Sequence, residues 1–263
     1  LFTNTYLGDY PMFLPGGKEQ IAGEYQPGWM LLSYGKKVSV SSSLEGYPAE
    51  NIVDEDARTA WVAQSNRDME WAQVDLQRLS SIHAIQVNFD EYGANQKGAV
   101  SGVYQSYLIY ASVNGEDWSL VVDYGTKKTD TPHDYIEFEE PFKARYIKLQ
   151  NKEYMVSENF SVRDLRIFGK GQGSTPRAVN DFTVERDEAD PCKARLCWEA
   201  VPDAQGYIVR YGIAGDKLYN NFQVMGENTL EIGSLNKGVA YYFTIDAYNE
   251  NGITRTSRIK VCR

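Results

Sequence analysis

The chain lacks the 3.6-residue periodicity of amphipathic helices, and short runs of period-two alternation recur in its place. In the segment 85–89, Ile, Val and Phe alternate with Gln and Asn, so one strand face is apolar and the other is polar. A second alternating run covers 106–112, Asn114 and Gly115 then supply a tight turn, and 118–122 returns as the partner strand. Further strands are predicted over 70–76, 135–138, 146–149 and 162–168. The sequence therefore predicts an all-β protein.

A glycine-rich stretch divides the chain into two predicted domains. Residues 170–176 read KGQGSTP, a composition with high backbone entropy and little to bury, which is typical of a linker. Residues 30–169 have the size of one domain, and residues 177–263 are short enough for a seven-stranded sandwich. Residues 1–29 hold aromatics and prolines without periodicity, and we expect an extended segment left from a preceding domain.

Charge and motif content exclude several classes of function. The net charge of -9 argues against a nucleic-acid partner, since phosphate binding relies on clustered Lys and Arg. No apolar stretch approaches the ~20 residues that span a bilayer, so no membrane span is predicted. The two histidines, His83 and His133, lie far apart in sequence, and no nucleophile-elbow, P-loop or HExxH motif occurs. We expect this fragment not to be an enzyme.

Several separated motifs in the segment 38–76 and beyond occur in a characteristic order. The positions that carry the pattern are Pro48, Ala49, Asp54, Thr59, Trp61, Trp71, Val74, Asp75 and Leu76, followed by the stretches 110–118, 144–150 and 162–169. This pattern resembles discoidin domains, also called coagulation factor 5/8 type C domains, and carbohydrate-binding module family 32. The resemblance covers 30–169 and implies an eight-stranded jelly roll. Trp61, Trp71 and Trp118 lie inside framework motifs of the family and are predicted to be core residues.

The segment 51–59 is crowded with oxygen donors: Asn51, Asp54, Glu55, Asp56 and Thr59. Ca²⁺ takes about 6–8 such oxygens, although an acidic loop alone is more often a solvated turn. The family resemblance implies one structural Ca²⁺ that ties the two ends of the domain together. By position, its ligands would be the Asn51 backbone carbonyl, Asp54, Asp56, Thr59, the Arg163 carbonyl and the Asp164 carboxylate. Relatives often have Glu where this chain has the shorter Asp164.

A sugar site is expected in loops at one end of the jelly roll, where relatives bind their ligands. Aromatic rings pack against sugar C–H faces, and sugar hydroxyls need fixed polar partners. The loops 63–70, 90–105 and 151–159 offer both kinds of group. The candidate binding residues, chosen on chemistry alone, are Asn66, Arg67, Tyr92, Tyr104, Glu153, Tyr154 and Asn159.

The second predicted domain resembles a fibronectin type III sandwich. Leu196 and Trp198 alternate on an early strand, and Leu235 precedes Tyr241 by six residues. The resemblance implies a tyrosine corner, in which the Tyr241 hydroxyl bonds back to nearby backbone, and a spacer role. Its topology would also bring Cys192 near Cys262, so a disulfide with one thiol left over and three reduced cysteines both stay open.

The opening segment resembles the junction between a glycoside hydrolase family 43 propeller and its C-terminal appendages in bacterial proteins. The residues that carry this resemblance are NTYLGDYP at 4–11 and PGWMLLSYGKKVSVSSSLEGYPAENIV at 27–53. It implies a parent of the β-xylosidase or α-L-arabinofuranosidase type that is secreted, periplasmic or attached to the bacterial cell surface. The catalytic carboxylates would lie on the covalently linked N-terminal propeller, outside this chain.

Three interpretations of function stay open, of which the third, a free-standing enzyme, would require a cleft with two facing carboxylates inside residues 30–169. In the first, the chain is a non-catalytic ancillary region of a polysaccharide-degrading hydrolase. Its jelly roll binds a plant-type polysaccharide or oligosaccharide, and its fibronectin type III domain acts as a spacer. In the second, the chain is a purely structural or protein-interaction appendage that packs on the catalytic domain without binding glycan.

Overall fold

The fold is described by a computed structural model covering residues 13–15, 27–94 and 102–263. The described residues form strands and turns with one short 3₁₀ helix, so the prediction of an all-β chain is confirmed. The chain divides into two compact units, Leu1–Gln172 and Gly173–Arg263. The boundary between the units falls inside the segment 170–176 that was predicted to be a linker.

The first unit contains nine strands among its described residues, and all but the first overlap the range 30–169, for which eight strands were expected. They are β1 (Phe13–Pro15), β2 (Pro27–Leu31), β3 (Lys37–Val40), β4 (Trp61–Val62), β5 (Trp71–Phe89), β6 (Gln105–Ser112), β7 (Ser119–Tyr124), β8 (His133–Tyr154) and β9 (Ser161–Lys170). The 3₁₀ helix, Ala49–Val53, lies between β3 and β4. All strand pairings in this unit are antiparallel.

Two long strands, β5 and β8, each take part in two sheets. The first part of β5, residues 71–75, pairs with β3 and with the last part of β8, which in turn pairs with β6. The second part of β5, residues 81–89, pairs with β9 and with the first part of β8. Register shifts interrupt the β5–β8 ladder between these parts, and such irregularities allow strands to bend. All nine strands are hydrogen-bonded into one continuous sheet, and we refer to its two parts, β3-β5-β8-β6-β7 and β8-β5-β9 with β1, β2 and β4 at its margin, as its two sheets.

The core of the first unit follows the predicted alternation. In β5, Ala72, Val74 and Leu76 are buried, and the residues between them are partly exposed. Trp61 is fully buried and packs edge-to-face on Phe160 with ring centroids 5.8 Å apart. This placement confirms the prediction for Trp61.

The same prediction for Trp71 and Trp118 was wrong, because both indole rings are only half-buried. Trp71 has the parity of Gln73 and Asp75, whose side chains lie on the outer face of the sheet. Trp118 lies in the turn before β7 and contacts the Lys148 ammonium. Both tryptophans therefore belong to a surface of the first unit.

The second unit holds two sheets. Its strands are β10 (Phe182–Arg186), β11 (Ala194–Trp198), β12 (Gly206–Gly212), β13 (Asn220–Met225), β14 (Thr229–Ile232), β15 (Tyr241–Asn249), β16 (Gly252–Thr254) and β17 (Lys260–Cys262). One sheet has the order β10-β11-β14, and the other has the order β13-β12-β15-β16, with β17 also paired to β15. Buried apolar side chains from both sheets, including Trp198, Val209, Phe243 and Ile245, form one core.

The described part of the second unit includes all three cysteines, and each is a free thiol. Cys262 is buried, whereas Cys192 and Cys197 are partly exposed. Burial raises the pKa of the Cys262 thiol, which keeps this sulfur protonated at neutral pH. Of the two alternatives left open by the sequence, the structure has the three reduced cysteines.

The Tyr241 hydroxyl accepts a hydrogen bond of 3.2 Å from the backbone N–H of Asn236, the contact expected of a tyrosine corner. Replacing Tyr241 by Phe is expected to destabilise the second unit by about 1 kcal/mol, because this N–H loses its partner. Tyr211→Phe is the matched control, since that ring stacks on Phe243 and no hydrogen bond of its hydroxyl occurs among the described residues. Urea denaturation of both variants measures the difference, and equal stabilities would contradict the assignment of a role to this bond.

Candidate functional site

The loops at one pole of the first unit form the candidate functional site. Antiparallel pairing places the end of β3, the start of β5 and the end of β8 at the same edge of one sheet. The end of β5 and the start of β9 reach the same pole from the other sheet. The loop 63–70, the described residues 90–94 and 102–104, and the end of β8 with the loop 155–160 therefore meet there, joined by 41–47 and 125–132. We call this surface the loop pole.

Hydrogen bonds fasten the loops of the pole to one another. The backbone N–H of Met69 donates to the Asn151 carbonyl at 3.2 Å, and the N–H of Met155 donates to the Tyr104 carbonyl at 3.0 Å. The N–H of Phe160 donates to the Ser65 carbonyl at 2.9 Å. The loop pole is thus a connected structure that can hold side chains in fixed positions.

Three of the residues predicted to bind sugar hold the loops in place instead. The Asn66 amide donates to the carbonyls of Tyr154 and Ser157, and the Asn159 amide donates to the Ala63 carbonyl at 2.8 Å. The Tyr154 side chain is 1% exposed, and its hydroxyl donates to the Asp90 carbonyl. Burial removes the Tyr154 ring from any contact with a ligand, so its part in the site is to position the loops.

Tyr104 and Glu153, also predicted to bind sugar, form an exposed cluster with Lys128. The Lys128 ammonium lies 5.2 Å from the Tyr104 ring centroid and 3.5 Å from a Glu153 carboxylate oxygen. The interaction between the Tyr104 hydroxyl and the Glu153 carboxylate raises the pKa of the phenol and lowers the pKa of the carboxyl group. Lys128 was not among the predicted residues, because it lies in a separate loop. An aromatic ring, a carboxylate and an ammonium are thus available to a ligand at one place.

The remaining predicted residues, Tyr92 and Arg67, lie elsewhere on the loop pole. The Tyr92 ring meets the Tyr47 ring edge-to-face, with centroids 4.9 Å apart. Arg67 is exposed in the loop 63–70. Tyr47 was not among the predicted residues, since only the fold brings the loop 41–47 against the loop that carries Tyr92.

A carboxylate ringed by hydroxyls adds a second polar group to the pole. The Glu70 carboxylate accepts hydrogen bonds from Ser42 at 2.8 Å, from Ser65 at 2.7 Å and from Ser41. These hydroxyl donors lower the pKa of Glu70, although its burial acts in the opposite direction. The group links the loops 41–47 and 63–70 and keeps a negative charge at the rim of the pole.

The predicted calcium loop is folded around its own side chains. The Asp54 carboxylate accepts from the backbone N–H of Asp56 at 2.9 Å and from the Thr59 hydroxyl at 2.8 Å. The Asn51 side-chain amide donates to the Ala60 carbonyl. The metal ligand predicted at Asn51 is its backbone carbonyl, which is a different group from this amide. The Asp56 carboxylate pairs with exposed Arg58, so only the Asp56 carbonyl faces Thr59. Asp54 and Thr59 are therefore brought together as predicted.

The closing carboxylate of the predicted site, Asp164, is buried on β9. One of its oxygens accepts from the Asn88 amide at 2.9 Å, and the other has no hydrogen-bond partner. Burial raises the pKa of Asp164, and the nearby negative charge of Asp54 raises it further. The Arg163 side chain pairs with Asp90, and its backbone precedes Asp164 directly. An unpartnered buried carboxylate oxygen is what a hard cation would take as a ligand.

Glu55 was not in the predicted ligand set, yet its side chain lies buried beside these groups. It takes a left-handed backbone conformation with φ of 61°, and its carboxylate forms an ion pair of 3.0 Å with buried Arg166. Burial raises the pKa of Glu55 to about 7, with Asp164 and Asp54 acting in the same direction and Arg166 opposing them. The Arg166 guanidinium thus pairs with Glu55 while Asp54 and Asp164 lie nearby, and a divalent cation would offset the remaining negative charge.

The donor set available to a metal is mixed. Among residues 13–15, 27–94 and 102–263, no three His, Cys, Asp or Glu side chains converge on a common metal position. A cation here would need carboxylates from Asp54 and Asp164 together with the Thr59 hydroxyl and backbone carbonyls. Calcium accepts such mixtures of oxygen ligands, so the residues present fit this ion.

The family comparison assigns a class to this fold and site. Residues 37–164 match the model of the F5/8 type C domain family. This part of the first unit is therefore similar to discoidin-type domains. In the described part of the chain, no helix has the length and apolar character needed to cross a membrane.

Individual relatives cover parts of the chain. The sequence is 33% identical over 110 residues to lactadherin of Rattus norvegicus, and 32% identical over 110 residues to lactadherin of Mus musculus. These matches cover 39% of this chain and 25% and 23% of the two lactadherins, so the chain spans about a quarter of their length.

Solved structures of similar fold include chitosan-binding module 1 from a chitosanase/glucanase of Paenibacillus sp. IK-5. It has a TM-score of 0.45 and 20% identity, over 53% of this chain and 98% of that module. The family 32 carbohydrate-binding module of Clostridium perfringens NanJ, solved with galactose, has a TM-score of 0.43 and 17% identity, over 53% of this chain and 98% of that module.

Proposed function

We propose that the first unit binds carbohydrate at the loop pole and that the chain has no catalytic role of its own. The observation that carries the proposal is the set of contacts among Tyr104, Lys128 and Glu153, which come from three separate segments and lie together on the surface. The ring offers an apolar face to a sugar, and the two charged groups offer hydrogen bonds to its hydroxyls. The F5/8 type C match over 37–164 supports a binding module over an enzyme.

The proposed ligand is a neutral plant-type polysaccharide or oligosaccharide, in keeping with a hydrolase of the xylosidase or arabinofuranosidase type as the parent protein. The parent would carry its catalytic domain N-terminal to this chain and act outside the bacterial cytoplasm. The support for this setting is the resemblance of the segments 4–11 and 27–53 to the end of a family 43 propeller.

The proposed role of the second unit is that of a fibronectin type III spacer. Its support is the strand order β10-β11-β14 against β13-β12-β15, together with the hydrogen bond from Asn236 to Tyr241. The segment that precedes it is bound to the same unit, since the Asn249 amide donates to the Ser174 carbonyl at 3.0 Å. A spacer of this kind would hold the carbohydrate-binding unit apart from neighbouring domains.

A glycan array that includes xylan, arabinan and galactosides tests carbohydrate binding by this chain. We expect binding to one glycan class, and we expect Tyr104→Ala to weaken it by about tenfold, the effect of losing one aromatic contact of ~1.4 kcal/mol. Glu153→Gln should weaken binding as well, because a charged acceptor is replaced by a neutral one.

Tyr135→Ala is the matched control for these variants. Tyr135 is 44% exposed on β8, in the sheet part that pairs with the second half of β5, and it should leave binding unchanged. If a folded chain bound no glycan on the array, the carbohydrate proposal would be abandoned in favour of a structural appendage that packs on the catalytic domain.

A further inference from the structure

The outer face of the sheet β3-β5-β8-β6-β7 carries an unusual share of aromatic side chains. Adjacent strands place Gln73 opposite Lys148, and Lys148 opposite Tyr110. The half-buried rings of Trp71, Tyr110, Trp118 and Tyr146 lie around this row, and Leu120 at its end is 48% exposed. We call this surface, made of Trp71, Gln73, Tyr110, Trp118, Tyr146 and Lys148, the aromatic face.

The aromatic face is held together by contacts among its own members. The Lys148 ammonium lies 4.0 Å from the Trp118 ring centroid and 5.3 Å from the Tyr110 ring centroid. The Tyr146 ring packs against the turn that precedes Trp118. A Cβ atom added at Gly115 in this turn would lie 3.3 Å from the Tyr146 ring. These contacts fix the rings in place, so the surface needs little reorganisation to accept a ligand.

Lys148 at the centre of this face has no anionic partner in the part of the chain that the structure describes. Elsewhere on the same sheet, Arg145 pairs with Asp75, and Lys152 pairs with Asp68. Within the described residues, Lys148 makes only its two ring contacts, and burial lowers the pKa of its ammonium. An anion placed beside this ammonium would offset the cost of its desolvation.

The side-chain amide of Gln73, next to Lys148, is also available for hydrogen bonding to a ligand. The Gln73 side chain, next to Lys148 across the β5–β8 pair, has no hydrogen-bond partner among the described residues. An amide both donates and accepts, as a sugar hydroxyl requires. From Gln73 to Tyr110 the row crosses three strands, a distance of about 10 Å at ordinary strand spacing. Such a length, with rings and polar groups in one plane, suits a chain of pyranose rings.

We propose that the aromatic face binds an acidic oligosaccharide, with a uronate carboxylate on the Lys148 ammonium and adjacent sugar rings packed against Trp118 and Tyr110. Gln73 bonds the hydroxyls of the same chain. This site is separate from the loop pole and takes a different class of glycan, so it does not depend on the carbohydrate site proposed there.

Calorimetric titration of the whole chain with an oligogalacturonate tests the proposal, with a neutral xylo-oligosaccharide as the comparison ligand. We expect the oligogalacturonate to bind with an affinity that falls as salt is raised, because the central contact is ionic. Lys148→Met should weaken this binding by about tenfold, and Lys148→Arg should retain most of it. Trp118→Ala should weaken it to a similar degree, with thermal unfolding used to show that each variant is folded.

Two control variants make the result specific to this face. Lys143→Met removes an exposed lysine from the other part of β8 and should leave binding unchanged. Tyr104→Ala alters the loop pole and should also leave oligogalacturonate binding unchanged, while it reduces binding of the array glycan. The proposal is overturned if the oligogalacturonate does not bind, if a folded Lys148→Met protein binds it as well as the parent chain, or if Tyr104→Ala abolishes its binding.

Discussion

Replacing Arg166 by methionine is expected to lower the free energy of unfolding of the first unit by about 3–5 kcal/mol. The Arg166 and Glu55 side chains are only 4% and 6% exposed, and their charges face each other at 3.0 Å. Methionine keeps much of the side-chain volume over Phe168 but leaves the Glu55 carboxylate buried without its cation. It also removes the donor to the side-chain amide oxygen of Gln86, which accepts at 3.0 Å. The loss of the cation dominates, because the Glu55 carboxyl group must then either stay buried as an unpaired charge or take up a proton, and both states are less favourable than the ion pair.

Chemical denaturation in the presence of EDTA measures this effect without interference from metal. Arg145→Met is the control, since its pair with Asp75 is substantially exposed and should contribute no more than about 1 kcal/mol. Adding Glu55→Gln to Arg166→Met should restore part of the lost stability by removing the buried charge. Equal losses in the free energy of unfolding for Arg166→Met and Arg145→Met would show that the buried pair stabilises the fold no more than the more exposed pair.

Calcium is expected to raise the free energy of unfolding of the first unit by about 2.7 kcal/mol when its concentration is a hundred times the dissociation constant. The physical reason is the set of close carboxylates at Asp54 and Asp164, which repel one another in the metal-free state. Metal is first removed from the protein with a chelator. The melting temperature of this protein, recorded with and without added calcium, checks the prediction.

Asp164→Asn should remove the calcium response, because its unpartnered oxygen then carries no charge. The same change should leave the metal-free protein at least as stable as before, since it removes one buried like charge. Asp123→Asn, at an exposed position of β7, serves as the control and should retain the response. A calcium-induced stabilisation that survives in Asp164→Asn would place the ion elsewhere.

The strands could be predicted from the sequence because their alternation reports directly on burial. The same logic would also have placed Trp71 correctly, since Ala72, Val74 and Leu76 define the inner face and Trp71 has the opposite parity. The core prediction for Trp71 rested on its membership in a family motif and not on this parity. Such a motif shows where a residue lies in the sequence without showing which face of the strand it occupies. Trp118 lies in a turn, where alternation gives no information.

The details of the loop pole could not be predicted in the same way. Asn66 and Asn159 have the chemistry of sugar-binding residues, but their amides are engaged by carbonyls 88 to 96 residues away in sequence. Lys128 and Tyr47 join the pole through contacts between distant loops. Glu55 turns inward through a backbone conformation that its residue type rarely adopts. All of these features depend on tertiary contacts that no local pattern encodes.

The passage of β5 and β8 through both sheets has a consequence for how ligands would be detected. Because the same two strands run through both sheets, one sheet cannot unfold locally while the other stays folded. The loop pole and the aromatic face therefore belong to one cooperative folding unit, although they lie on different surfaces. Occupation of either surface would shift the same melting transition, and simultaneous occupation by two glycans would add their shifts in that single transition.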